Sequence, residues 1–302
     1  MSASDIKTHD TSAFMERHAE RDARIESNLR DNEGRFFAIP VQEMLRLSKL
    51  PVPPVRSTGH TLIWLTHGEA NMKVGYEACR AVAGECLFVA AGKVFSYDRL
   101  EDNEGFLLHW EDGFIAAELG QSPLQTFDFL NVWGNAVIHP DSQATDLITG
   151  LCGRLLGIFQ AAPKDETRLK AHLISLLHEL AHADGPATSQ PSPAAVALTK
   201  RFKALLYQNC RSLHQVAEYA DRLAVSPNHL NKAVKQITGK SPSRWIDEAI
   251  VLEAKVLLLQ TQLNIGEVAA EVGVTDASYF SRLFRKFTGI TPAQYRSRID
   301  LS

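Results

Sequence analysis

The chain has 302 residues, enough for two domains at roughly 150 each. Its 45% hydrophobic and 22% charged content is ordinary for a globular protein, and no apolar run approaches the ~18 residues a membrane span needs, so no membrane partner is expected. Charge is unevenly divided: residues 196–302 carry 15 Lys and Arg against 9 Asp and Glu, whereas residues 1–195 carry 17 against 26, so only the C-terminal part suits a polyanion.

In chain order, residues 1–33 are a polar arm with no apolar stretch of signal-peptide type and no function to assign. Cys79, Cys86, Cys152 and Cys210 form no C-x-x-C pair and read as reduced thiols, so a cytoplasmic location is expected. Residues 34–140 alternate short apolar runs (RFFAIPV, TLIWLT, CRAVA, ECLFVAA, KVFSY, GFLLHW) with turn signals, His67-Gly68 among them. That pattern predicts a β-sandwich or barrel. Residues 141–183 change to helical period, with Leu147, Leu151 and Leu155 on one run and Leu169, Leu173, Leu176, Leu177 and Leu180 on the next. A stripe of that kind buries against a neighbour, either the first run or its own copy in a second chain. Residues 184–193 are a Pro/Ser-rich linker, and 194–302 read as helices throughout.

The second leucine run ends in HELAH, residues 178–182. Two histidines one turn apart with Glu179 between them is the pattern of zinc peptidases. The longer signature needs a third ligand at Thr188, whose neutral hydroxyl is a poor zinc ligand, and a methionine turn downstream, whereas Met1, Met15, Met44 and Met72 all precede the motif. His178 and His182 therefore read as helix-surface residues, with no catalytic residue and no metal assigned.

The last hundred residues repeat themselves. ADRLAVSPNHLNKAVKQITGKSPSRW (220–245) lies over AAEVGVTDASYFSRLFRKFTGITPAQY (269–295), with Leu230 against Phe280, Val234 against Phe284, Thr238-Gly239 against Thr288-Gly289 and Trp245 against Tyr295. Each copy has helix-turn-helix logic. Ser226 and Asp276 are placed to cap the second helices, Gly239 and Gly289 to end them, and Gln294 to form a capping box with Thr291. One face of each second helix is apolar. The other carries Asn228, His229, Asn231, Lys232 and Lys235, or Ser278, Tyr279, Ser281, Arg282, Arg285 and Lys286. Amides and guanidinium groups suit base edges, and ammonium groups suit phosphates, so these are the candidate contacts to double-stranded DNA.

The motifs A-x-x-L-x-V-S (220–226), T-G-x-S-P (238–242), E-V-A-x-E-V-G (267–273), S-Y-F-S-R-x-F-R-K (278–286) and T-G-I-T-P-x-x-Y-R (288–296) resemble the AraC/XylS family of bacterial transcription regulators. Ala249 and Val274 depart from it, standing where the family usually has arginine and phenylalanine. The resemblance implies an α+β chain: an N-terminal cupin-like β-barrel with helices, and a C-terminal all-α domain with two helix-turn-helix motifs. It further implies a sequence-specific regulator that binds an operator, works with RNA polymerase and answers to a small-molecule effector. Trp64, Tyr76, Arg80, Phe88, Phe95, His109 and Trp110 lie on strand-like runs and are the candidate effector contacts. The five leucines at 169–180 are the candidate seam of a homodimer. No H-x-H pair marks a metal-binding cupin, and no cofactor is expected. A cupin-type enzyme with a DNA-binding tail and a zinc peptidase using HELAH are the competing readings.

Overall fold

The computed structural model of the chain describes residues 11–20, 22, 35–75, 77–97, 103–120, 122–131, 135–161, 165–183 and 193–299. Two compact units divide it, one within Thr8–Gly185 and one within Pro186–Ser302. Most of the arm and the linker stretch 184–192 lie outside the described residues.

The first unit is built of helix α1 (Thr11–His18), strand β1 (Phe36–Pro40), helix α2 (Val41–Leu47), and strands β2 (Val52–Arg56), β3 (His60–Val74), β4 (Glu77–Val82), β5 (Cys86–Val89), β6 (Val94–Tyr97), β7 (Asn103–Trp110) and β8 (Val137–Ile138). Helices α3 (Ser142–Gln160) and α4 (Glu166–Ala183) follow. The main path of the antiparallel sheet runs β1-β7-β3-β5-β8, while the far half of β3 pairs with β4 and β6, and β6 with β2. Among the described residues this path stays open, and the unit is mixed helix and sheet.

Strand β3 is 15 residues long because the chain does not turn at His67-Gly68, as its sequence suggests, but runs through it with a register shift between Leu65 and His67. The shift sits beside Gly105, at φ 151°, where a Cβ would lie 1.9 Å from the Trp64 carbonyl oxygen. Only glycine allows that approach. Strand β2 holds Pro53 and Pro54, and its register with β6 slips between Val52 and Val55. Proline lacks an N–H, which explains both the irregular ladder and why VPPVR does not read as a strand.

The alternation along β3 sorts two cores. Leu62 and Trp64 join the cluster with α3 and α4, while Leu65 joins a second one with Val55, Val74 and Leu87. Trp64 Nε1 donates to Thr149 Oγ1 at 2.9 Å, which ties the sheet to α3. The leucine stripe is explained here. Leu169, Leu173, Leu176, Leu177 and Leu180 are at most 2% exposed and pack with Ile148, Cys152 and Leu155 of α3 inside a single chain. The expected dimer seam is corrected: these side chains are the core of the unit and present nothing to a second copy.

The second unit is helical: α5 (Pro193–Asn209), α6 (Val216–Arg222), α7 (Pro227–Thr238), α8 (Pro242–Gln260), α9 (Ile265–Glu271), α10 (Ala277–Thr288) and α11 (Pro292–Ile299). Helix α8 is buried on most sides, through Trp245, Ile246, Ala249, Ile250, Ala254 and Leu257, so both repeats share it as a scaffold. One charge is buried on it: Glu253, met by Arg211 Nη2 at 3.1 Å. Among the described residues no helix is long and apolar enough to cross a membrane.

Candidate nucleic-acid interface

The two repeats fold alike down to single atoms. Residue by residue, 230–242 and 280–292 follow the same sequence of buried, half-buried and exposed positions. In the turns, Val225 N–H donates to Ala220 O at 3.0 Å and Val274 N–H to Ala269 O at 2.8 Å. At the far ends, Thr238 Oγ1 donates to Val234 O at 2.8 Å, and Thr288 Oγ1 to Phe284 O at the same distance. Small Ala220 and Ala269 are both buried where α6 and α9 approach their partners. The repeats differ where Trp245 and Tyr295 stand: Trp245 Nε1 donates to Thr238 Oγ1 at 3.0 Å, whereas the Tyr295 ring meets Phe284 edge-on with centroids 5.5 Å apart.

The ends of α7 and α10 are satisfied as their sequences predict. Ser226 Oγ accepts from His229 N–H at 3.2 Å, and Asp276 Oδ1 accepts from Ser278 and Tyr279 N–H at 2.8 and 3.1 Å. Those N–H groups, Tyr279 first, hold the Asp276 carboxyl below its ordinary value. Gly239 and Gly289 close the helices in left-handed backbone, at φ 71° and 80°. Thr291 and Gln294 form the expected box. A further box at the start of α9, Asn264 with Glu267, escaped sequence reading although its N-x-x-E spacing carried the signal.

Leu230, Ala233 and Val234, and Phe280, Leu283 and Phe284, face inward. Asn228, His229, Lys232, Lys235, Ser278, Tyr279, Arg282, Arg285 and Lys286 are exposed, with Asn231 and Ser281 half-buried at the edges of the same faces. Two of these residues are engaged in the free protein. Asn231 Nδ2 donates to Pro227 O at 3.0 Å, and Lys286 Nζ lies 3.7 Å from Asp247 Oδ2. Burial raises the Asp247 carboxyl above its ordinary value, and Lys286 opposes that shift. Behind the first helix, Lys240 Nζ pairs with Glu248 at 2.9 Å and lies over the Trp245 ring, so it serves the scaffold.

The candidate effector residues do not form one site. The first unit holds an apolar cavity of about 110 Å³, of the order of the roughly 150 Å³ hollow that accepts benzene in an engineered core. Phe95 and His109 line it. Trp64, Phe88 and Trp110 do not; they are at most 1% exposed in the other core, where strand alternation puts them. Arg80 is exposed and paired with Glu69 on the neighbouring strand. Tyr76 lies outside the described residues. Sequence reading missed Phe14 and Met15 of α1 and Met44 of α2, which complete the cavity wall. Their signal was the amphipathic spacing in FMERH and VQEMLRL, too short to separate from loop.

HELAH forms no metal centre among the described residues, where no cluster of three His, Cys, Asp or Glu side chains is placed to hold an ion. His178 meets the Phe127 ring edge-on, with centroids 5.0 Å apart. His60 and His139 are likewise taken, by Asp112 and Glu85 at 2.9 and 2.6 Å.

Comparison with known proteins agrees with this geometry. The family model described as a helix-turn-helix domain matches residues 219–298. The chain is 35% identical over 82 residues to the arabinose operon regulatory protein of Escherichia coli, a stretch covering 27% of this chain and 28% of that one. It is 42% identical over 77 residues to the bifunctional transcriptional activator/DNA repair enzyme AdaA of Bacillus subtilis, covering 26% of this chain and 36% of the other. Among solved structures, the C-terminal domain of AraT, a response regulator from Geobacillus stearothermophilus, is 32% identical, with a TM-score of 0.32, covering 36% of this chain and 88% of that one. The matched stretch is well under half the length of these curated relatives, and it lies in the second unit. Residues 219–298 of this chain are a helix-turn-helix domain of the AraC type.

Proposed function

We propose that the chain is a sequence-specific DNA-binding transcriptional regulator of the cytoplasm, not an enzyme, whose N-terminal unit is a cupin-like effector domain. One observation carries the reading: two helices of the same build, α7 and α10, each turn an apolar face to a shared scaffold and a face of amides, hydroxyls and cations to solvent. In this reading Asn228, Asn231, Arg282 and Arg285 meet base edges. Lys232, Lys235 and Lys286 meet phosphates, and His229, Ser278, Tyr279 and Ser281 fix the register of each helix. The 19-residue scaffold α8, about 28 Å long, suits readers spaced by roughly one groove repeat of 34 Å.

Control by a small effector is supported by the apolar cavity lined by Phe95 and His109. Action at a promoter brings RNA polymerase in as a partner. A homodimer doubles the number of readers per operator and multiplies affinity through effective concentration. With the leucine stripe committed to the core, the outer face of α3, where Leu147 is 48% exposed, becomes the candidate seam. The test is fluorescence anisotropy of the full chain on its enriched operator and on random duplex. Specific binding at least about a thousandfold tighter than non-specific supports the reading, and equal binding refutes it.

A further inference from the structure

Besides sharing α8, the two helix-turn-helix motifs are joined by a second contact. The loop between α5 and α6, residues 210–215, is fastened to the first motif. His214 and Gln215 N–H both donate to Glu218 Oε2, at 3.0 and 2.7 Å, and Tyr219 Oη donates to Leu213 O at 2.9 Å. The same loop is fastened to the scaffold, where Arg211 Nε and Nη2 donate to Glu253 Oε2 of α8 at 3.3 and 3.1 Å. From there it meets the turn of the second motif. His214 Nε2 lies 3.1 Å from Val272 O. A carbonyl only accepts, so Nε2 carries the hydrogen and donates it. One residue on, a Cβ at Gly273 would stand 2.1 Å from Arg211 O, so the approach needs glycine.

The first repeat serves as the control for the second. Ala220 and Ala269 are 49 residues apart, and at the same spacing Ala224 stands against Gly273 and His214 against Leu263. Ala224 also has left-handed backbone, at φ 56° against 78° for Gly273. The turn by itself therefore admits alanine, and what excludes a side chain at Gly273 is the loop. Leu263 has no ring N–H with which to return the contact. The carbonyl equivalent to Val272 O is Leu223 O, which Arg201 of α5 meets at 3.5 Å from outside both motifs. The tie runs one way, from the first motif to the turn of the second.

We infer that His214 is a positioning residue: with Gly273 it clamps the turn of the second motif to the first, holds α10 in one setting relative to α7, and so sets the half-site spacing that the chain accepts. A single shared helix leaves the second motif free to rock about it, and a separate contact removes that freedom. The spacing of half-sites then follows from the spacing of the readers. This rests on the reading of α7 and α10 as readers of DNA and names what fixes their register. One net hydrogen bond corresponds to roughly two- to tenfold in an equilibrium, which is the size of the effect expected.

The test uses the full chain and fluorescence anisotropy on three duplexes: the site enriched from a random library, and the same site with one base pair inserted or removed between its halves. The unmodified chain is expected to bind the altered sites about tenfold or more weakly. His214→Phe keeps a ring and loses the donor. Its penalty for altered spacing is expected to shrink by roughly two- to tenfold, with the salt slope unchanged because no phosphate contact is lost. His214→Gln, whose amide N–H is placed to reach the same carbonyl, is expected to restore the penalty. A lower melting temperature for His214→Phe with the spacing penalty intact would make the histidine merely structural and overturn the inference. So would an unmodified chain indifferent to spacing. If His214→Phe fails to fold, His214→Ala, which adds no bulk, decides in its place, and failure of both to fold also assigns the residue to stability and overturns the inference. No specific binding of any duplex by the unmodified chain overturns the DNA reading itself, and the inference with it.

Discussion

Ala224 and Gly273 hold the same place in the two turns, and both stand in left-handed backbone, at φ 56° and 78°. The geometry suits glycine and strains alanine. Their surroundings differ. A Cβ at Gly273 would lie 2.1 Å from Arg211 O and 2.4 Å from His214 Cε1, whereas the Cβ of Ala224 is accommodated. Ala224→Gly is therefore expected to stabilise the second unit by about 0.5–1 kcal/mol, the relieved strain slightly exceeding the added flexibility of the unfolded chain. Gly273→Ala is expected to cost about 2–4 kcal/mol, because a backbone carbonyl must move. Chemical denaturation of the two variants checks both signs.

That pair also shows what a sequence discloses. The repeat was legible because its inward positions, Leu230 with Phe280 and Val234 with Phe284, and its caps, Ser226 and Asp276, are local patterns that no distant contact overrides. The first unit was less legible. Gly105 decides the course of β3 from another strand, and HGEANMKV carries no trace of that. The leucine stripe of α4 announced burial but not what buries it. Trp64, Phe88 and Phe95 all look alike as aromatics on short strands, and register alone sends the first two to the core and the third to the cavity.

The cap at α10 predicts a pH effect. The Asp276 carboxyl is held below its ordinary value of 3.8 by N–H donors, so its contribution is complete above the unfolded value and is lost as pH falls through the lower, folded one. Asn caps as well but does not titrate. The melting temperature of the unmodified protein, taken relative to Asp276→Asn, is expected to stay level from pH 8 to 5 and to decline below about pH 4. A level difference down to pH 2.5 would remove the carboxylate from the cap's energetics.

The pair of Lys286 with Asp247 competes with any phosphate for the same ammonium group. Asp247→Asn is expected to raise affinity for random duplex by about two- to fivefold, as release of one surface ion pair allows. Lys286→Ala is expected to lower affinity on all sequences alike and reduce the salt slope by about 1. Anisotropy titrations over a range of salt measure both. An unchanged slope for Lys286→Ala would mean that this residue faces no phosphate.

Glutamate at Leu173 and Leu177 would place carboxylates in the core of the first unit, where both leucines are fully buried. The cost is roughly 4 kcal/mol or more at each site, enough to unfold the unit. Circular dichroism of Leu173→Glu/Leu177→Glu should lose signal from that unit. A folded monomer would instead show that the stripe faces a second chain.

The most direct test selects bound duplexes from a random library, using the unmodified chain and, separately, Asn228→Ala/Asn231→Ala and Arg282→Ala/Arg285→Ala. The expected result is a bipartite site whose halves lie about 10 base pairs apart, with each variant losing one half and keeping the other, at roughly 1–3 kcal/mol per base contact removed. No enriched sequence with the unmodified chain, or the same loss across both halves with either variant, would contradict the assignment of α7 and α10 as two separate readers of DNA.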